Sequence, residues 1–581
     1  MRAIVLALLL LGTYVPASAQ ATRPHKPRPS PFAWRGIVEG YYGTAWTHAD
    51  RVRVLKWMGD HGFNAYVHAP KADAYQTRGW RTPYPAGDQA RFDQEIQLAR
   101  RRGVQWIPNL SPERGPPTAP TRLCFSCPGD LEAVVAKLRP FLDAGVRTVM
   151  ISFDDIGTAF GPADAAAYAA RYPGTPVEYQ FARAQTEFLN ALHARLGPDV
   201  QLLTVLTDYA GTVDSPYLQG VRAGALDPSV GVLWTGPHIR ASDFSAADAA
   251  AYGALVGRTP IVWANWVAHD FVPSRLFLGP FRKGRDVTGA VQGFFFSPMN
   301  EPDLNMLPLA TAGAWMRDPK RYDHRAAWLA AVDELAGRDG SMRDELRAWA
   351  ETSYSSGLTR QEAPTAARLQ HAFLRAFDRG ARWTDARDAL RHELVLTQRA
   401  RSDLRHLRNH RIARQARPFL AIARRAARAA ERGLDLLAAE RPSLSLDRTR
   451  DGFAGTAQSP DPAAASALRD RMNRDWTAAR ASPLYVYGCR VRTRGCGGRT
   501  TNVVDNFLTQ VTALDGVWQP DAARAARRLR VTLAGKRVRR DRAGRFTLPA
   551  DSCGGRVLAT DGAGGETSLP LPRCPHRRHG G

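Results

Sequence analysis

Short apolar runs alternate along the chain with stretches whose apolar residues recur at three- and four-residue spacing. Eight runs are closed by Gly, Pro, Asn or Asp: Arg35 to Val38, Ala65 to His68, Val104 to Asn109, Thr148 to Phe153, Leu202 to Leu206, Gly231 to Trp234, Pro260 to Trp263 and Ala290 to Phe296. Their apolar character is continuous rather than alternating, as in parallel strands covered on both faces. Helical patterns lie between them. Thr47 is placed to cap a helix reaching about His61, with Asp50 as an acidic partner in its first turn and Gly62 to end it. Asp88 to Arg102, Asp130 to Ala144, Glu178 to Leu196 and Ser245 to Val256 read the same way.

Strands alternating with helices over residues 32–308 predict an α/β fold, a (β/α)8 barrel of the TIM type. An open doubly wound sheet is the competing topology, but no glycine-rich dinucleotide loop follows the first strand. From residue 309 to 480 strand signals vanish, and the Ala-, Arg- and Leu-rich pattern predicts a helical bundle. Residues 482–581 show short strand-like runs between Gly-rich turns, among them Tyr485 to Tyr487, Val491, Arg528 to Leu533, Arg545 to Leu548 and Val557 to Ala559, with some helix near Asp521 to Arg528. They predict a small, mainly β unit.

The N-terminus changes the picture of compartment. Arg2, the apolar run Ala3 to Leu11 and Ala17-Ser18-Ala19 have the order of an export signal over residues 1–19. A Pro-, Arg- and Lys-rich linker, residues 20–31, follows. The apolar run is shorter than the roughly 20 residues that span a bilayer, and none of that length comes later. The expectation is a secreted or periplasmic protein without stable membrane insertion. In that setting the six cysteines can pair. Cys124 and Cys127 suit a local disulfide or two buried thiols rather than a metal site. Cys489, Cys496, Cys553 and Cys574 are expected to staple the C-terminal unit, in a connectivity that spacing leaves open.

The net charge is +25, from 80 Lys and Arg against 55 Asp and Glu. The excess is mostly Arg, spread along the chain. We read it as compositional bias and solvated helix faces rather than a nucleic-acid site, although an acidic polysaccharide would also suit it.

In a barrel of this kind reactive side chains sit where strands run into loops at the C-terminal face. The first strand runs into Glu39-Gly40-Tyr41-Tyr42, the second into Lys71, the fourth into Asp154-Asp155, the fifth into Tyr209, the sixth into Thr235, and the seventh into Asn265 with Asp270 soon after. Asp154-Asp155 is the sole Asp-Asp pair in the chain. Burial and mutual repulsion are expected to raise one pKa and so supply a carboxylic acid near neutral pH. Neighbours on a strand face opposite ways, so the strand must give way to loop if both reach one ligand. Lys71 suits hydrogen bonding to a sugar hydroxyl. Trp263, Trp266, Tyr41 and Tyr42 suit either stacking on sugar rings or core filling.

These residues carry a resemblance. Arg35-Gly-Ile-Val-Glu-Gly-Tyr-Tyr-Gly43, Asn64-Ala-Tyr-Val-His-Ala-Pro-Lys71, Phe153-Asp-Asp-Ile156, Val232-Leu-Trp-Thr-Gly-Pro237, Val262-Trp-Ala-Asn265 and Arg275-Leu-Phe-Leu-Gly-Pro280 occur in this order. The chain resembles the catalytic barrel of glycoside hydrolase family 84, the β-N-acetylglucosaminidases that include O-GlcNAcase and bacterial enzymes first called hyaluronidases. The resemblance implies a retaining, substrate-assisted hydrolysis through an oxazoline, without metal or organic cofactor, on glycans or glycoproteins that end in N-acetylglucosamine. It implies that Asp154 orients the acetamido N–H and Asp155 serves as acid, then base. Tyr209 would meet the acetamido oxygen, Gly40 and Lys71 the hydroxyl edge, and Asp270 the outer hydroxyls. Thr235, Trp263 and Asn265 would line the acetamido pocket. At the end of the eighth strand the family has Asn, and this chain has Ser297, with Asn300 as a candidate to compensate. An endo-acting hyaluronan hydrolase and a non-catalytic glycan-binding or cell-wall adhesion protein are the rival functions.

Overall fold

The computed structural model describes residues 29–571 except 115, 117–118, 120, 283–285, 357–360, 379–382, 450–451, 490–501, 519–528, 542, 550–551, 553–554 and 561–565. The expected export signal, most of the linker, Val491, the helix expected at Asp521 to Arg528, and Cys496, Cys553 and Cys574 lie outside the described residues.

Eight strands form a closed parallel barrel. They are β1 (Trp34–Val38), β2 (Ala65–His68), β3 (Gln105–Leu110), β4 (Thr148–Ser152), β5 (Gln201–Val205), β6 (Gly231–Trp234), β7 (Ile261–Ala264) and β8 (Gly293–Phe296). They pair in chain order, and β8 returns to β1, with Gly36 opposite Phe295. Each strand is buried on both faces, which is why each reads as an unbroken apolar run. Val38, Val67, Ile107, Met150, Leu203 and Phe295 fill the barrel interior. Ile37, Tyr66, Val149, Leu202, Val232 and Phe294 pack outward against the helices.

The helix starts follow local chemistry. Thr47 caps His48–Asp60 through a reciprocal capping box with Asp50. The Ser245 side chain accepts the Asp248 N–H at the start of Ala246–Val256. Two short helices, Pro162–Arg171 and Pro216–Ala223, escaped the sequence reading. Each has Pro in its first turn, where the missing N–H costs nothing.

After the barrel, helices dominate from Met306–Arg317 to Pro462–Arg480. The expectation that strands are absent there is corrected. A hairpin of β9 (Ser443–Thr449) and β10 (Gly452–Gln458) interrupts the helices. Ser443-Leu444-Ser445-Leu446 alternates polar and apolar, a period of two set among helical neighbours. The remaining strands are β11 (Arg530–Leu533), β12 (Lys536–Val538), β13 (Arg545–Pro549), β14 (Arg556–Thr560) and β15 (Glu566–Pro570). β10 pairs with β13, while β12, β11, β14 and β15 make a second sheet over a small separate core.

A second difference concerns Val503–Trp518, a helix inside the stretch read as mainly β. Its Val504, Phe507, Leu508 and Val511 join the same core as the barrel and the helices. Tyr485 and Tyr487 donate their N–H groups to Ser274 and Thr352 at 2.8 and 2.6 Å, which ties this segment to the barrel side. Cys124 and Cys127 form a disulfide. Cys489 is also disulfide-bonded. Among the described residues no helix is long and apolar enough to cross a membrane.

The barrel closure can be tested at Gly36. A Cβ there would lie 2.1 Å from a ring carbon of Phe295 on the neighbouring strand. Gly36→Ala is expected to lower stability by about 1–3 kcal/mol, as overpacking does. Urea unfolding followed by tryptophan fluorescence reads the change, and an unchanged midpoint would contradict this packing.

Candidate active site

The C-terminal ends of the strands surround a cavity of about 330 Å³. Its lining includes Gly40, Lys71, Asp154, Asp155, Tyr209, Thr235, Trp263, Asn265, Asp270 and Ser297. The structure therefore brings all ten sequence-selected residues to one place. They come from the exits of β1, β2 and β4 to β8, as the strand-end argument requires.

The local turn at the end of β4 decides how two adjacent carboxylates share the cavity. β4 stops at Ser152, and Asp155 takes a left-handed conformation with φ of 56°. An ordinary strand would have sent the two side chains to opposite faces. Here Asp154 is buried, paired with the Lys71 ammonium, and Asp155 stands exposed beside it. Lys71 also lies 5.7 Å from the centre of the Trp263 ring. One oxygen of Asp154, Oδ1, is buried with no hydrogen-bond partner.

Asp155 is held differently. Its Oδ1 accepts from the Tyr209 hydroxyl at 2.7 Å and its Oδ2 from the Tyr42 hydroxyl at 2.6 Å. Arg114 Nη2 lies 3.7 Å from Oδ2 and also donates to Tyr42. Burial alone would raise the pKa of this carboxyl. The two phenol hydrogen bonds, with Lys71 and Arg114, outweigh burial and hold it below the ordinary value. This corrects the expected raised acid: in the free site the charge of Asp155 is neutralised by donors rather than by a proton. Both phenols respond in the opposite sense, pushed up by burial and by their bonds to Asp155.

The rest of the wall is built from backbone and neutral groups. Trp263 Nε1 donates to Asn265 Oδ1 at 2.9 Å, and Asn265 Nδ2 donates to the Ile239 carbonyl at 2.8 Å. The Thr235 N–H donates to the Tyr209 carbonyl at 2.8 Å. Gly40 has to be glycine, because a Cβ there would lie 2.4 Å from the Trp263 ring. Asp270 accepts the Tyr42 N–H at 2.8 Å, so it braces the loop after β1 as well as lining the cavity. Asn300 does not take the place of a longer residue at 297. Its amide donates to the Tyr42 and Thr44 carbonyls, both at 3.3 Å, and it is not part of the lining.

Of the four aromatics considered for stacking, Trp263 and Tyr42 line the cavity. Tyr41 and Trp266 are 1% and 3% exposed and belong to the core. The sequence reading missed Arg114, which follows β3, the one strand whose exit it had left without a polar candidate. It also missed the role of Glu39. That buried carboxylate accepts from Arg51 Nε at 2.8 Å, from the Trp46 N–H at 2.9 Å and from the Tyr66 hydroxyl, and so anchors the start of the β1 loop. Among the described residues no group of three His, Cys, Asp or Glu side chains is arranged to hold a metal.

The family model described as NAGidase, beta-N-acetylglucosaminidase, matches residues 35–351. Curated proteins similar to the chain include Protein O-GlcNAcase of Rattus norvegicus and of Mus musculus, each 28% identical over 290 residues. The match covers 48% of this chain but only 30% of the length of those relatives. A solved O-GlcNAc hydrolase mutant of Thermobaculum terrenum has a similar fold, with a TM-score of 0.67 and 23% identity over 85% of this chain and 98% of that one.

Removing both phenols, Tyr42→Phe with Tyr209→Phe, is expected to raise the pKa of Asp155, as read by carboxyl NMR titration. The sign carries to stability. The depressed folded pKa means that ionised Asp155 stabilises the fold above roughly pH 4, the unfolded value. That contribution is lost as pH falls through the lower folded value. A titration that stays put, or moves down, would contradict the assigned hydrogen bonds.

Proposed function

Since the chain belongs to the β-N-acetylglucosaminidase family, whose signature runs through the whole barrel, we propose that it is a retaining glycoside hydrolase that removes terminal β-linked N-acetylglucosamine from glycans or glycoproteins. The observation that carries this reading is the unpartnered, buried Oδ1 of Asp154 in a cavity whose second carboxylate is ringed by donors. A neutral N–H is the group that such an oxygen lacks. The 2-acetamido group of the sugar supplies one.

In this reaction Asp154 accepts the acetamido N–H and turns the acetamido oxygen toward the anomeric carbon. Lys71 pairs with Asp154 and faces the hydroxyl edge of the ring with Gly40, while Asp270 takes the outer hydroxyls. Thr235, Trp263 and Asn265 enclose the acetamido methyl. Tyr209 exchanges its bond to Asp155 for one to the acetamido oxygen. Asp155 thereby loses a donor as the sugar displaces water, and both changes raise its proton affinity. The depressed pKa of the free site is thus compatible with an acid in the complex. The acetamido oxygen bonds to the anomeric carbon as the glycosidic bond breaks, and Asp155 gives its proton to the leaving oxygen. Asp155 then takes a proton from water, which opens the oxazoline and restores the acetamide with retained configuration. No protein nucleophile is required, one of the known departures from double displacement.

We also read the protein as secreted, on the strength of the export pattern in residues 1–19. The curated relatives named O-GlcNAcase support a glycoprotein as one class of substrate.

Asp155→Ala is expected to lower kcat/KM on glycosides with poor leaving groups by about 10²- to 10⁴-fold, the usual contribution of an acid. Aryl glycosides whose leaving group needs no proton should be far less affected. Equal losses on both would remove Asp155 from the acid role. A β-glucoside without the acetamido group should be almost inert, and comparable rates on the two sugars would overturn the assisted mechanism. Falling viscosity of hyaluronan without free monosaccharide would mark endo action instead.

A further inference from the structure

A second cavity of about 410 Å³ adjoins the first and shares Asp155 and Lys71 with it. Its other lining residues include Arg78, Arg114, Thr77 and Ile156. Asp155 is the only carboxylate lining it among the described residues. Lys71 is neutralised by Asp154, so the balance on this side rests on the two arginines. Arg78 is exposed and makes no hydrogen bond or ion pair with any described residue. Among the described residues Arg114 has Asp155 as its single counter-ion, and its Nε is buried without a partner.

Thr235, Trp263 and Asn265 line the first cavity but not this one, and the two meet at Asp155 and Lys71, where an aglycone would leave. When Asp155 holds a proton ready for the leaving oxygen, Arg114 has lost its counter-ion and Arg78 never had one. Two uncompensated guanidinium groups then line this cavity. We propose that Arg78 and Arg114 form an aglycone subsite for an acidic sugar, one that carries a carboxylate on or beside the ring carbon next to the glycosidic linkage. This rests on the hydrolase reading above.

Distance favours a sugar acid over an acidic peptide. Arg114 Nη2 is 3.7 Å from Asp155 Oδ2. The leaving oxygen in turn sits about 3 Å from the acid that protonates it. Arg114 therefore serves a charge held rigidly close to that oxygen. A uronate at C5, or a lactyl ether on the neighbouring carbon, meets this requirement without ordering a flexible chain. An acidic side chain further along a peptide does not, and it would pay more conformational entropy to reach. Arg also suits a carboxylate because its fork can donate two parallel hydrogen bonds. An anion bound there would in turn hinder the ionisation of Asp155 and help it keep its proton until transfer.

The test compares matched substrates on the full chain. They are N-acetylglucosamine β-linked to O4 of glucuronate, the methyl ester of the same disaccharide, the counterpart linked to muramic acid, and a β-N-acetylglucosaminyl serine peptide with a neighbouring Asp. The expected result is a kcat/KM for the uronate or the muramate at least about tenfold above that of the ester, the scale of a charged hydrogen bond. The difference between those two acids identifies the source. Arg78→Gln with Arg114→Gln should bring the acid-to-ester ratio close to one. Because it is a ratio within one protein preparation, partial misfolding cannot produce it. A wild-type ratio near one, a ratio unmoved by the substitutions, or a preference for the acidic peptide alone would overturn the proposal. Calorimetric binding of the acid and ester reads the same preference where hydrolysis is absent. Failure to cleave any neutral aryl N-acetylglucosaminide would overturn the proposed activity instead, and leaves the calorimetric ratio to decide the subsite.

Discussion

Two adjacent carboxylates can share a cavity only if the backbone between them turns, and this turn organises the site. β4 ends one residue before Phe153, and Asp155 adopts a φ of 56° that an L-residue enters at a cost of about 1–3 kcal/mol. The surroundings offset that cost. Tyr42, Tyr209 and Arg114, from the exits of three other strands, converge on the Asp155 carboxylate. The strain therefore persists because closure of the barrel brings those strands to one rim. An open sheet would leave the β1 and β5 loops too far apart to hold the same side chain.

The charges obey a second constraint. Asp154 and Asp155 side by side would repel each other, and Lys71 together with Arg114 removes that penalty in the free site. The Lys71–Asp154 pair is almost dry, with side chains 3% and 9% exposed. Loss of one partner from such a pair leaves a buried charge and costs about 3–5 kcal/mol. Stability and the proposed chemistry are thus coupled at Asp154 but much less so at exposed Asp155, whose partners are phenols that can turn to other acceptors. The residue proposed to change protonation is the one whose contacts are exchangeable.

Much of this architecture could be read in the sequence, for a physical reason. A strand buried on both faces must be apolar throughout, and a side chain that works at a barrel rim must follow it directly. The runs before Glu39, Lys71, Asp154, Thr235 and Asn265 obey both conditions, so strand and site were legible together. Arg114 was not. It lies four residues beyond the end of β3, and in a chain so rich in Arg one more guanidinium carries little signal. The sign of the Asp155 shift was hidden for another reason. It depends on two phenols that are 113 and 54 residues away along the chain. The β9–β10 hairpin was obscured because two seven-residue strands, in which Ser, Leu, Gly and Ala predominate, sit between two long helices, and its partner strand β13 begins only at Arg545.

The loop after β1 shows how the scaffold reaches Asp155. Glu39, locked by Arg51 and Tyr66, fixes the loop at its root. Asp270 takes the N–H of Tyr42, and Asn300 donates to its carbonyl, so both peptide groups of that residue are held from the β7 and β8 sides. What remains free in Tyr42 is the side chain, and its hydroxyl joins Asp155 to Arg114. The residues after β7 and β8 therefore act on the Asp155 carboxylate without touching it, through the position of one phenol. This explains why Asn300 does not line the cavity although it lies close to Ser297 in sequence. Its amide is committed to the loop that places Tyr42 against Asp155. The short Ser297 side chain is left to line the cavity by itself at that strand end.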